Sequence, residues 1–334
     1  VSTAGKITGA HGPDDPAPAP RRARTARALT CLGILLSSAL LPGAVAQGAP
    51  APRALLDQDF PDPDVLRTGT GYHAFSTSSG SGRVPVAAAN DADGPWQVTG
   101  DALAADPSWV DTAGGYWAPD VTRRADGTYL MYYAAVSKAD RHRCIGTAVA
   151  SSIAGPYQPA GDGPLICAPG DQGNIDAQTF QTHDGTRYLL YKGEHPGGGA
   201  SAIFAQKMTQ DGTATDGART EILRADRPEE NGIVEAPVIS QRGDRFVLFY
   251  SADDFRNATY QTRYATASSL TGPYTKADQP LMTTESLSGA TEGPGGADVV
   301  GGRIYFHGWL DGQRTQRGLF GLNLEFSDGV PQVS

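Results

Sequence analysis

Beyond residue 46 the sequence has no apolar run long enough to cross a bilayer, no helix-period stretch of useful length and no basic stripe. The first absence excludes a helical membrane span there, and the second a helical fold. The third argues against nucleic acid as a partner, because an acidic surface repels phosphate backbones. Charged residues are also sparse, at 19%. Glycine (42) and proline (24) are plentiful instead, which favours many short strands joined by turns.

Residues 1–46 read as a leader. Arg21, Arg22, Arg24 and Arg27 precede an apolar run, Ala28 to Leu41, and Ala44-Val45-Ala46 is an A-x-A cleavage signature. The run is too short for a span. The expectation is an exported, extracellular protein with no membrane partner: signal peptide 1–46, short linker 47–56 and one folded domain over 57–334. The leader holds five basic and two acidic side chains, so without it the net charge moves from −9 to −12. Uncharged substrates suffer no penalty from that charge.

Cysteine is scarce. Of the three, Cys31 leaves with the leader, and Cys144 and Cys167 remain. An even count in an exported chain predicts a disulfide, worth about 3 kcal/mol in the chain-entropy model. The alternative is two buried thiols.

What the sequence does have is a repeat. Turn residues followed by aromatic and β-branched runs recur at Gly71, Gly127, Gly185, Asp244 and Gly302. Tyr72, Tyr129, Tyr188, Phe246 and Tyr305 occupy matching places, 57 to 59 residues apart. Gly94-Pro95-Trp96, Gly155-Pro156-Tyr157 and Gly272-Pro273-Tyr274 close three of the units. Each unit shows three clear strands and room for a fourth. That predicts an all-β fold, a five-bladed β-propeller in a single domain.

Acidic residues keep the same beat. Asp62, Asp120, Asp176, Glu235 and Asp298 stand at or near the start of each innermost strand. Radial symmetry should gather several of them around one pocket. Gathered carboxylates raise each other's pKa, which a fold gains little from but acid–base chemistry needs. Glycoside hydrolysis, with one protonated and one ionised carboxyl, is the commonest such reaction. Repeated Asp-Pro turns and acids that hold a channel cation are the competing readings.

At these residues the sequence resembles glycoside hydrolase family 43, the five-bladed arabinanase, arabinofuranosidase and xylosidase group. The motifs are Asp62-Pro63-Asp64, YWAPDV from Tyr116, IDAQTF from Ile175, VEAP from Val234 and GPGG from Gly293. The resemblance covers Asp57 to Pro331. It implies Asp62 as general base, Glu235 as general acid and Asp176 as the carboxylate that tunes the acid. It implies inversion, with the Asp62 and Glu235 carboxyl groups about 6.5–9.5 Å apart. It makes Trp117 a sugar platform and puts Asp120 and His307 on the substrate side; Asp120 as a turn cap is the competing reading. Asp64 and Asp298 read as structural.

One departure stands out. Many members carry GPGH, whose histidine helps hold a central hydrated cation, and here that place is Gly296. His307 could take over as a metal ligand for a structural Ca2+ in the channel, or be a satisfied core histidine; no cofactor is required for the chemistry. His142, His183 and His195 receive no role. Asn257-Ala258-Thr259 is a glycosylation sequon.

The expected function is a secreted inverting hydrolase, acting as a monomer on plant cell-wall polysaccharide or oligosaccharide containing L-arabinofuranose. It would be an α-L-arabinofuranosidase or an endo- or exo-1,5-α-L-arabinosidase. Alternatives are a β-xylosidase, a fructan- or galactan-acting propeller and a catalytically silent sugar-binding propeller.

Overall fold

The structure is a computed structural model that describes residues 51–80, 82–194 and 199–334. The expected leader and His195 lie outside the described residues. Twenty strands form five antiparallel sheets of four, each a meander in chain order. Blade one holds β1 (Asp64–Thr68), β2 (Gly71–Phe75), β3 (Pro85–Ala89) and β4 (Gln97–Asp101). Blade two holds β5 (Val110–Arg123), β6 (Tyr129–Ser137), β7 (Arg143–Ala150) and β8 (Gln158–Ala160). Blade three holds β9 (Gly173–Gln181), β10 (Arg187–Glu194), β11 (Ala202–Lys207) and β12 (Thr220–Arg224). Blade four holds β13 (Val234–Arg242), β14 (Arg245–Ala252), β15 (Gln261–Ala267) and β16 (Thr275–Lys276). Blade five holds β17 (Glu292–Val300), β18 (Arg303–Trp309), β19 (Arg317–Ser327) and β20 (Val330–Val333). Innermost strands touch in the cycle β1, β5, β9, β13, β17 and back to β1, so the ring is closed. This is the expected five-bladed β-propeller.

The second strand of each blade is apolar on both faces because it is covered on both. In β6, Met131 and Tyr133 pack towards blade one, while Leu130 and Tyr132 pack towards blade three. In β14, Leu248 and Tyr250 face blade three, and Val247 and Phe249 face blade five. Five separate apolar clusters result, one between each pair of neighbouring blades. Strand period 2 therefore appears in the sequence as unbroken apolar runs. Hairpins at Asp126-Gly127-Thr128 and Asp184-Gly185-Thr186 start two of these strands. In each, the aspartate accepts the threonine N–H (2.9 and 3.0 Å) and the glycine takes φ +87° or +85°.

The fifth interface joins the two ends of the described chain. Leu55 N–H donates to the Leu319 carbonyl (2.7 Å), Leu319 N–H to Leu56 (3.2 Å) and Phe60 N–H to Arg317 (2.7 Å). Leu56, which falls in the expected linker, is buried with Phe60, Tyr305 and Leu319. The segment before β1 thus clasps the start of β19, and β20 pairs with the rest of that strand.

Candidate active site

Every innermost strand carries the same local distortion. Asp62, just before β1, and Ala118, Asp176, Ala236 and Gly296 within the later strands all have φ between +41° and +58°. Strand pairing is interrupted there in blades two to five. A left-handed residue costs about 1–2 kcal/mol when it is not glycine. It bends the strand and re-aims side chains towards the axis, as bulges do.

The bulge sorts the recurring acids into two sets. Asp62 and Asp176 occupy the left-handed position itself, and Glu235 the position before it, where blade two carries Trp117. Asp62, Asp176, Glu235 and Trp117 line one cavity of about 730 Å3. Asp64, Asp120 and Asp298 stand two residues further along and are buried, and of the three Asp64 reaches the cavity wall. Each of these accepts a backbone N–H from the next blade: Asp298 from Val65 (2.8 Å), Asp64 from Val121 (2.9 Å) and Asp120 from Thr179 (3.1 Å). They brace neighbouring blades. Burial raises all three carboxyls, Asp120 to about 7 and Asp298 to about 6.

Two expected substrate contacts are therefore corrected. Asp120 is 1% exposed and spends its oxygens on the Thr179 N–H and hydroxyl, so it does not reach the cavity. His307 is also 1% exposed and lies behind Asp62 rather than on the wall. The glycine pair in GPGG makes room for this. A Cβ at Gly295 would sit 2.1 Å from Tyr260, and one at Gly296 would sit 2.5 Å from His307 Nδ1.

The Asp62 surroundings favour its charge. Burial alone would raise this carboxyl. The Arg317 guanidinium (3.2 Å), the His307 ring (Nδ1 at 3.0 Å) and the Thr77 hydroxyl (2.6 Å) overcome that and hold it well below the usual carboxylate range.

Across the cavity the logic reverses. Burial, then the Glu235 charge, push the Asp176 carboxyl up to about 8, while its Oδ2 accepts the Ala236 N–H (2.9 Å). The Asp176 carboxyl therefore keeps its proton at neutral pH. Glu235 Oε1 accepts the Tyr260 hydroxyl (2.8 Å), and Oε2 meets Lys192 Nζ (2.8 Å). Lys192 also contacts Glu194 Oε1 (2.9 Å). Burial would weaken the lysine's charge, but Glu235, Glu194 and Asp176 more than restore it.

Trp117, 36% exposed, presents one face to the cavity; the Arg143 guanidinium lies 3.2 Å from its ring centroid. Arg143 is held by the Gly114 and Gly115 carbonyls. Next along the strand, Cys144 is joined to Cys167 by the expected disulfide, Cα atoms 4.8 Å apart.

Sequence reasoning did not reach Lys192, Arg143, Tyr260 or Arg317. Lys192 had a signal, since a lysine directly after Leu189-Leu190-Tyr191 is rare in a covered strand unless paired. The others lie outside the repeated motif.

The family model for glycosyl hydrolases family 43 matches residues 52–314. The chain belongs to that family. Among its family 43 relatives, the Extracellular endo-alpha-(1->5)-L-arabinanase 1 of Bacillus subtilis (strain 168) is 28% identical over 259 residues, 73% of this chain and 77% of the relative. The Probable arabinan endo-1,5-alpha-L-arabinosidase C of Aspergillus niger is 27% identical, covering 82% and 91%. Among solved structures, a thermostable family-43 glycoside hydrolase superimposes with TM-score 0.72 at 24% identity, covering 83% of this chain and 93% of that one, and it speaks to the fold alone. The GH43 endo-arabinanase from Bacillus licheniformis gives TM-score 0.65 at 25% identity, covering 83% and 98%.

Proposed function

We propose that this family 43 glycoside hydrolase cleaves α-1,5-linked L-arabinofuranosyl bonds in arabinan, with inversion at the anomeric carbon. The observation that carries the reading is one cavity lined by Asp62, Asp176 and Glu235, whose walls make opposite demands on their carboxyls: Asp62 is held ionised and Asp176 protonated. The names of the arabinan-acting relatives support the substrate.

Asp62 takes a proton from water as the water attacks the anomeric carbon. Glu235 gives a proton to the departing sugar oxygen, and Asp176 keeps that proton available. Lys192 and Tyr260 hold the acid's two oxygens in place. Trp117 offers an apolar face to a furanose ring, backed by Arg143.

Export fits the name of the extracellular relative, and no helix among the described residues is long and apolar enough to cross a membrane. The working form is a monomer on plant cell-wall polysaccharide.

The test is a panel of linear arabinan, aryl arabinofuranoside, arabinoxylan and aryl xyloside, with product sizes and the first-formed anomer read by NMR. Linear arabinan should be the best substrate and the product anomer inverted. Preference for the xylosides would overturn the substrate, a retained anomer the mechanism, and binding without turnover the enzyme itself.

A further inference from the structure

The resemblance to family 43 brings with it a hydrated cation in the channel, held by a histidine at the start of blade five. The residues here do not fit one. Position 296 is glycine, and the neighbouring space is filled by the His307 imidazole. Both nitrogens of that ring are engaged: Nδ1 lies 3.0 Å from Asp62 Oδ1, and Nε2 lies 3.5 Å from Arg317 Nη1. Nδ1 also lies 3.1 Å from the Asp62 backbone N–H, so Asp62 occupies one side of the ring through its main chain and its carboxylate, and the guanidinium occupies the other. A cation on Nε2 would face a guanidinium at hydrogen-bonding range. Burial and the Arg317 charge also keep the imidazole neutral.

We propose that Arg317 is the resident positive charge of this channel, a positioning residue facing Asp62 where other arrangements would use a hydrated metal ion. Three observations place the guanidinium there. Its Nη1 is 3.2 Å from Asp62 Oδ1. Its plane packs between Phe255 (4.9 Å to the centroid) and Trp309 (5.7 Å). Its own backbone is tied to the segment that carries Asp62, through Arg317 N–H to Asp59 Oδ1 (3.0 Å) and Phe60 N–H to the Arg317 carbonyl (2.7 Å). Cation and carboxylate are thus fixed in one register. A guanidinium is always charged and needs no supply from outside. The groups facing Asp62 are Thr77 of blade one, Arg317 and His307 of blade five, Tyr260 of blade four and, with opposing sign, Asp176 of blade three. Of these only Arg317 carries a permanent positive charge.

The inference rests on Asp62 as the base. The experiment uses the whole protein, wild type and two variants, Arg317→Lys and Arg317→Ala. Thermal midpoint, calcium binding by titration calorimetry and the pH dependence of kcat/KM are measured in EDTA and in millimolar CaCl2. The wild type should give the same midpoint and activity in both and no calcium heat. Arg317→Ala should move the acid limb of kcat/KM up by about one pH unit or more, and free guanidinium should recover part of the loss. Arg317→Lys should fall between. Calcium heat in the wild type with activity lost in EDTA, or an acid limb unmoved in Arg317→Ala, would overturn the proposal. Should Arg317→Ala not fold, the wild-type calorimetry and chelator arms decide alone. Full activity in Asp62→Ala would instead remove the base assignment, a separate failure.

Discussion

The two walls of the cavity hold the same chemical group under opposite electrostatics. On the blade-one and blade-five side, the Asp62 carboxylate is met by the Arg317 guanidinium, the His307 ring and the Thr77 hydroxyl. On the blade-three and blade-four side, Asp176 is met by another acid. Yet Asp62 and Asp176 occupy the same left-handed position of the same bulge. Their neighbours from other strands make the difference. On the proposed assignment, a repeat supplies a base and an acid-tuning group from one backbone device, and the neighbours that other blades bring set their opposite charge states.

Mutating the two partners should break this comparison most visibly. Asp62→Ala and Glu235→Ala should each lose about 10²–10⁴-fold in kcat on arabinan while keeping the thermal midpoint. On an aryl arabinofuranoside with a good leaving group, Glu235→Ala should recover much of its rate and Asp62→Ala none. Equal recovery in both would mean the walls do not divide the work.

The pH profile sharpens the same contrast. The Asp176 proton is present below about 8 and lost above, so kcat/KM should fall as pH rises through about 8. Asp62 stays ionised well into acid, so the acid limb should lie below the ordinary carboxylate range. Lys192→Met removes a charge that lowers the Asp176 carboxyl, so the basic limb should move up by about one unit. A downward shift would show that the lysine acts through packing rather than charge.

Smaller effects belong to the rim. Trp117→Ala should raise KM about fivefold with kcat changed far less, reflecting lost stacking of about 1 kcal/mol. Replacing Cys144 and Cys167 together by alanine should cost about 3 kcal/mol of stability and leave both pH limbs in place. Calorimetry and the pH profile check this pair.

Much of this was legible in the sequence. The 57-to-59-residue beat reported five blades because every blade needs the same hairpin and the same doubly covered second strand. Asp62, Asp176 and Glu235 were legible as acids recurring with the beat, and they stand at the left-handed position or just before it, where the structure brings them to one cavity. The same beat misled at Asp120, which keeps time with the site while standing two residues past the bulge, in the buried brace. His307 was visible as a histidine of blade five, but its direction depends on Gly295 and Gly296 leaving space, which spacing does not encode. Arg317 and Tyr260 come from strand edges with no repeated counterpart, and only three-dimensional closure brings them to the cavity.

The clasp between Leu55–Phe60 and β19 has a consequence for when the protein begins to work. The three carboxylates proposed for the chemistry are synthesised by residue 235, but the guanidinium facing Asp62 arrives at residue 317, on the strand that also receives Leu55–Phe60. A nascent polypeptide that has reached residue 235 therefore carries these three acids and still lacks the cation that faces Asp62. On the proposed mechanism hydrolysis waits for the fifth blade, so a strand made late arms a residue made early.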